Sequence, residues 1–116
     1  MNANVEERLV VYGSLGPGER HHHLLASLRG EWIRCSITGL LRMHEGYRIF
    51  SPEGTATIQA LMFVSSDLPQ YWRVLDDFEG DDYRRIIIPV EIATGQTTAN
   101  IYADARNIRT TSEIRS

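Results

Sequence analysis

Near residue 79 the chain places an acid where helical spacing reserves an apolar side chain. With Leu68 at the centre of one face of the stretch Asp67 to Glu79, the residues Tyr71, Trp72, Leu75 and Phe78 fall on that face or along its border. Glu79 follows Leu75 by four positions and Trp72 by seven, near the middle of the stripe. Asp77 points nearly opposite, and Asp76 lies on the flank. An ionised carboxylate in apolar surroundings is costly, so such a group pairs, protonates or works. Two readings stay open. Either the helix frays near Gly80 and Glu79 turns to water or meets Arg84 or Arg85, or its setting raises its basicity and suits it to removing a proton.

A second stretch, LVVYGSLGPGE from Leu9 to Glu19, runs from four apolar residues into a turn with three glycines in six positions. Such a turn either connects strand to helix without strain, or offers bare backbone N–H groups to an anion. It is no phosphate loop, because the Gly-Lys-Ser/Thr ending is missing. The dinucleotide fingerprint also fails on glycine spacing and on the absence of a βαβ unit.

Other candidates are weaker. His21, His22 and His23 are consecutive, so on a helix they diverge by about 100° each and do not converge on one ion. His44 is remote in sequence, and no metal is expected. Cys35 alternates with Ile33 and Ile37 on an apolar face, which suits a buried thiol rather than a nucleophile. The run DDFEGDD does not follow the calcium-loop order. No cofactor is implied.

Composition narrows the classes further. The 116 residues are 42% hydrophobic and 23% charged, with a net charge of -3. This suits one domain over 1–116, with a core at about 8–104 and a polar tail at 105–116. All twelve basic residues are arginine, so neither Schiff-base chemistry nor a phosphate-loop lysine is available. No basic stripe suggests nucleic acid, and no apolar run is long enough to span a bilayer. The single cysteine and the absence of a signal-peptide pattern point to a cytoplasmic protein. Nothing in the sequence sets an oligomeric state.

The elements that must hold Glu79 and the turn read as follows. Arg8 to Tyr12 is a strand buried on both faces, and Glu19 to Leu28 a short helix with Leu24, Leu25 and Leu28 on one side. His21 joins that side, while His22 and His23 fall away from it. Glu31 to Met43 alternates as a half-exposed strand. HEGYRIFSPEG is a hairpin or loop and TATIQALMFV the next strand. Asp67 to Glu79 is a helix with an Asp67-x-x-Gln70 capping box, ended by Gly80. YRRIIIPVEIA and TANIYADA form a hairpin about the turn TGQT, with Pro89 marking an edge or a bulge. The order predicts an α+β domain whose mixed sheet curls into a small barrel flanked by two main helices.

VYGSLGPGERHHHLL and LDDFEGDDYRR together resemble the γ-glutamylcyclotransferase-like family, including its AIG2-like and small bacterial branches. The likeness runs from about Leu9 to Asp104. It implies a small β-barrel flanked by helices, and an enzyme of the acyltransferase class that releases 5-oxoproline from a γ-glutamyl amide. On this resemblance Tyr12, Gly13, Ser14 and Leu15 match the substrate-binding turn and Glu79 the catalytic acid/base. Tyr102 matches, loosely, an aromatic residue near the pocket. The implied partner is a small γ-glutamyl compound. The chain departs from the family at Gln59-Ala60, where Gly-Glu is frequent, and at Tyr47-Arg48, where Tyr-Pro is frequent. The alternative is a non-catalytic binding or regulatory protein that uses the same pocket.

Overall fold

A computed structural model describes residues 4–12 and 22–105. Its strands are β1 (Arg8–Val11), β2 (Glu31–His44), β3 (Tyr47–Val64), β4 (Tyr83–Ile92) and β5 (Gly95–Asp104). They close into a barrel in the order β1-β3-β2-β4-β5, mixed because β1 runs parallel to β5. The α-helices described are α1 (His23–Ala26) and α2 (Trp72–Glu79).

Alternation decides which side chains fill the barrel. Val10, Cys35, Ile37, Phe50, Met62 and Ile101 point inward. The residues between them on β1 and β5, Leu9, Val11 and Tyr102, face outward and pack beneath Leu25, Leu68, Trp72 and Leu75. The first strand is therefore buried on both faces, as its unbroken apolar run predicts. Each buried leucine under the helices contributes about 1.5–3 kcal/mol. Cys35 is a buried thiol, and burial pushes its pKa up to about 11.

The middle of the chain differs from the sequence expectation. HEGYRIFSPEG holds the hairpin that is one of its two readings, with a tight turn at Glu45 and Gly46, both with positive φ, but TATIQALMFV is not a separate strand: a single strand runs from Tyr47 to Val64. The pairing jumps from Gly39↔Ala56 to Leu40↔Ser51, so residues 52–55 form a bulge inside one strand. Pro52 and Gly54, read as loop punctuation, are the bulge. A Cβ on Gly39 would collide with the Phe50 ring and lie 2.6 Å from the Ser51 carbonyl oxygen, and one on Gly54 would lie 2.6 Å from the Gly39 backbone. Gly39→Ala is expected to cost about 1–3 kcal/mol of stability, measured by urea unfolding.

Three smaller corrections have local causes. The segment from Asp67 to Glu79 is a 3₁₀ turn, Leu68–Gln70, followed by α2. Asp67 makes no capping bond; its carboxylate accepts instead from the Arg29 amide at 2.9 Å, a donor freed beyond the end of α1. The last hairpin turns at residues 93–94 because Ile92 already pairs with Gly95, where a φ of +138° suits glycine. Finally, α1 as described is a single turn ending at Ala26, and the His22 ring, off the leucine face, lies 5.7 Å from the Trp32 ring between centroids. Residues 19–21, expected to begin this helix, lie outside the described residues, as does His21.

Pro89 is exposed on β4, whose flank toward β2 pairs only at Ser36↔Glu91. A residue without an N–H is tolerated at such a sparse seam.

Candidate active site at one barrel pole

β1 is short, and this shapes one end of the barrel. Where β1 stops at Val11, β3 and β5 meet directly through Phe50↔Ala103. Tyr12 fills the cleft. Its hydroxyl donates to the Tyr102 carbonyl at 2.6 Å and accepts from the Phe50 amide at 3.0 Å. Burial pushes this phenol well above the ordinary tyrosine range, so it stays protonated. The Tyr12 hydroxyl is thus a clasp between strands, with both bonds taken by backbone.

The same pole collects the start of β4, the end of β5 and the end of α2. Tyr83 donates its hydroxyl to the Arg48 carbonyl at 3.0 Å, while an Arg48 guanidinium nitrogen donates to the Tyr12 carbonyl at 3.3 Å. Asp104 is buried and pairs with Arg42 at 3.4 Å. Burial, with the nearby Glu79, Asp82 and Asp104 carboxylates, pushes Tyr83 up to about 12.

Glu79 completes the group. It is the last residue of α2, and Gly80, at φ +77°, turns the chain away where other residues are disfavoured. Leu75 and Trp72, one and two turns back, are buried, so the helix carries Glu79 inward as the spacing predicts. Phe78 differs: it sits at the border of that face and is 39% exposed. The Glu79 side chain is half-buried, and desolvation raises its pKa from 4.5 to about 7. Its charge is felt by Tyr12, Tyr83 and Tyr102. None of the described residues offers it a salt bridge. Of the two arginines considered as its partner, Arg85 is taken elsewhere, pairing with Asp76 at 3.0 Å and reaching Asn100 at 3.1 Å.

Of the residues singled out in the sequence, Tyr12 and Glu79 therefore lie within electrostatic reach of one another. Gly13, Ser14 and Leu15, which follow Tyr12 directly, lie outside the described residues. Tyr102 is buried beneath α2, and its hydroxyl donates to Asp76 at 2.6 Å. Sequence reasoning missed the roles of Asp76 and Arg85. No local sequence signal gave them away, because it is the strand pairing Arg85↔Tyr102 that sets both donors side by side. Among the described residues no three metal-ligating side chains cluster, and no helix is long and apolar enough to cross a membrane.

The described residues thus form a small closed barrel with helices on one flank and, at the pole where the first strand ends, a desolvated glutamate with no salt-bridge partner among them. The chain belongs to the γ-glutamyl cyclotransferase, AIG2-like family, whose model matches residues 9–115. Its fold is similar to that of an AIG2-like protein from Mus musculus, at 17% identity and a TM-score of 0.68, covering 85% of this chain and 77% of that one. It is also similar to the PH0828 protein of Pyrococcus horikoshii, at 20% identity and a TM-score of 0.62, covering 84% and 77%. YkqA from Bacillus subtilis is 26% identical with a TM-score of 0.64; the match covers 84% of this chain but 35% of YkqA. No curated protein sequence matches the chain significantly.

Proposed function

We propose that this protein releases 5-oxoproline from a γ-glutamyl amide, with Glu79 as general base and then general acid. The substrate's α-amino group attacks its own γ-carbonyl carbon, a five-membered ring closes, and the C–N bond to the leaving amine breaks. Glu79 takes a proton from the α-ammonium and returns it to the departing nitrogen, which leaves as a neutral amine, while the attacking nitrogen loses its second proton to solvent as it becomes the lactam N–H. Holding nucleophile and carbonyl in one folded substrate supplies on the order of 7–11 kcal/mol. The carbonyl oxygen becomes anionic during attack and needs donors. The backbone amides of Gly13, Ser14 and Leu15, in the glycine-rich stretch that follows Tyr12, are assigned to that oxygen or to the substrate carboxylate, with the Ser14 hydroxyl as a further donor.

The observation that carries this reading is the Glu79 carboxyl, raised to about 7 by burial at the pole beside Tyr12. A base with that proton affinity is half ionised near neutrality, where it both accepts and returns a proton efficiently. Family membership supports the chemistry at the coarse level. Tyr12 enters as the support of the turn, since its hydroxyl is already satisfied by backbone.

The test is a panel of γ-glutamyl amides differing in the amine half, assayed for both binding and free 5-oxoproline. Release of the ring product supports the enzyme. Binding without release favours a non-catalytic binding protein, a reading that the Gln59-Ala60 departure keeps in view. Gly13→Val is expected to weaken substrate binding at least tenfold, because a branched side chain blocks approach to the backbone. Unchanged affinity in a calorimetric titration would remove the turn from the site.

A further inference from the structure

The final turn of α2 is held from below by a second set of polar groups. Arg85 and Tyr102 are cross-strand partners on β4 and β5, with both side chains directed at the helix. The Tyr102 hydroxyl donates to Asp76 Oδ1 at 2.6 Å, and Arg85 donates to both Asp76 carboxylate oxygens, at 3.0 and 3.3 Å. Arg85 is itself fixed: its guanidinium carbon lies 4.3 Å from the Trp72 ring centroid, and it bonds Asn100 Oδ1 at 3.1 Å. Asn100 in turn donates to the Val5 carbonyl at 2.8 Å, and Trp72 Nε1 to the Glu6 carbonyl at 3.0 Å. Burial opposes charge on Asp76, but the Arg85 and Tyr102 donors outweigh it and hold its carboxyl below the ordinary range.

We infer that Asp76, Tyr102 and Arg85 form a clamp that positions Glu79, by fixing the last turn of α2 against the β4–β5 surface. Asp76 and Glu79 are three residues apart, one helical turn, so the point of attachment lies directly behind the acid. Glu79 is the last residue of the helix, and beyond Gly80 the chain passes through a two-residue turn into β4. The backbone caps this turn, with the Gly80 amide donating to the Asp76 carbonyl at 3.1 Å, and the clamp adds the side-chain attachment that keeps the turn, and with it the Glu79 carboxyl, from swinging into water. The inference rests on reading Glu79 as the base of the site, and it makes Tyr102 a positioning residue rather than a ligand contact.

Other groups around Glu79 remain in place when the clamp is cut, which makes the test clean. They are Tyr12 at the end of β1, Tyr83 at the start of β4 and, further round the pole, Asp104 paired with Arg42. Tyr102→Phe removes the hydroxyl without changing any charge or the ring that packs beneath α2. The Glu79 carboxyl is followed by carbon-detected NMR titration of the full chain, alongside the pH profile of kcat/KM for a γ-glutamyl amide. In Tyr102→Phe the Glu79 midpoint is expected to fall by about one pH unit toward the ordinary carboxylate value. The acid limb of kcat/KM moves with it, kcat drops several-fold and KM changes little. Asp76→Ala, which loses both donors' target, gives a larger fall. Ile37→Val, a barrel-core change remote from α2, lowers stability and leaves the midpoint alone.

A Glu79 midpoint unmoved in both Tyr102→Phe and Asp76→Ala overturns the inference. A parent protein that turns over no γ-glutamyl amide, yet shows the midpoint falling in Tyr102→Phe, keeps the clamp and removes only the proposed reaction.

Discussion

Above about pH 7, Glu79→Gln is expected to be the more stable protein and the inactive one. Burial raises the folded-state pKa of Glu79 from 4.5 to about 7. The unfolded chain keeps the lower value, so the carboxyl contributes its full stability below about pH 4.5 and loses it as pH rises through about 7. The loss amounts to about 3 kcal/mol at most. Glutamine keeps the shape and never ionises, so the variant skips that loss. Urea unfolding at two pH values measures it: equal stability in acid, and a gap favouring the variant in base. A variant no more stable than the parent at high pH would mean that Glu79 is solvated. The same substitution removes the group that accepts the α-ammonium proton, which is expected to lower turnover at least about a hundredfold.

Tyr12→Phe is expected to damage the fold rather than the chemistry first. The substitution leaves the Phe50 amide and the Tyr102 carbonyl without their partner, at a place where both residues are buried. Each unsatisfied buried group costs about 1–3 kcal/mol, so a total of about 2–6 kcal/mol is expected for the two. The seam opened is the one joining β3 to β5 beyond the end of β1, and Gly13 follows Tyr12 directly, so substrate affinity falls as well. Denaturant unfolding that finds the variant as stable as the parent would show that the clasp is dispensable.

What was legible in the sequence followed from short-range periodicity. The unbroken run at Leu9–Val11 announced a strand covered on both faces, and the alternation of Ile33, Cys35 and Ile37 gave the inward side of β2. Glu79 was legible for the same reason, since its phase against Leu75 and Trp72 is local information. The bulge at residues 52–55 was not, because a proline and a glycine within four residues mimic a loop when the partner strand is unseen. Asp67 misled in a similar way. Its spacing to Gln70 matches a capping box, but the carboxylate is drawn to the Arg29 amide, which only the fold brings near. The attachment of Asp76 to Arg85 and Tyr102 depends on strand register across β4 and β5, and no window of sequence encodes that directly. The sequence raised Arg84 and Arg85 as partners for Glu79; the fold gives Arg85 to Asp76 and leaves Glu79 unpaired among the described residues.

The most direct test of the central claim follows 5-oxoproline formation from one γ-glutamyl amide by the parent and by folded Glu79→Gln under identical conditions. The account predicts that the parent closes the ring, with an acid limb near pH 7, and that the variant binds the amide but releases no product above background. Equal rates from the two proteins would contradict it.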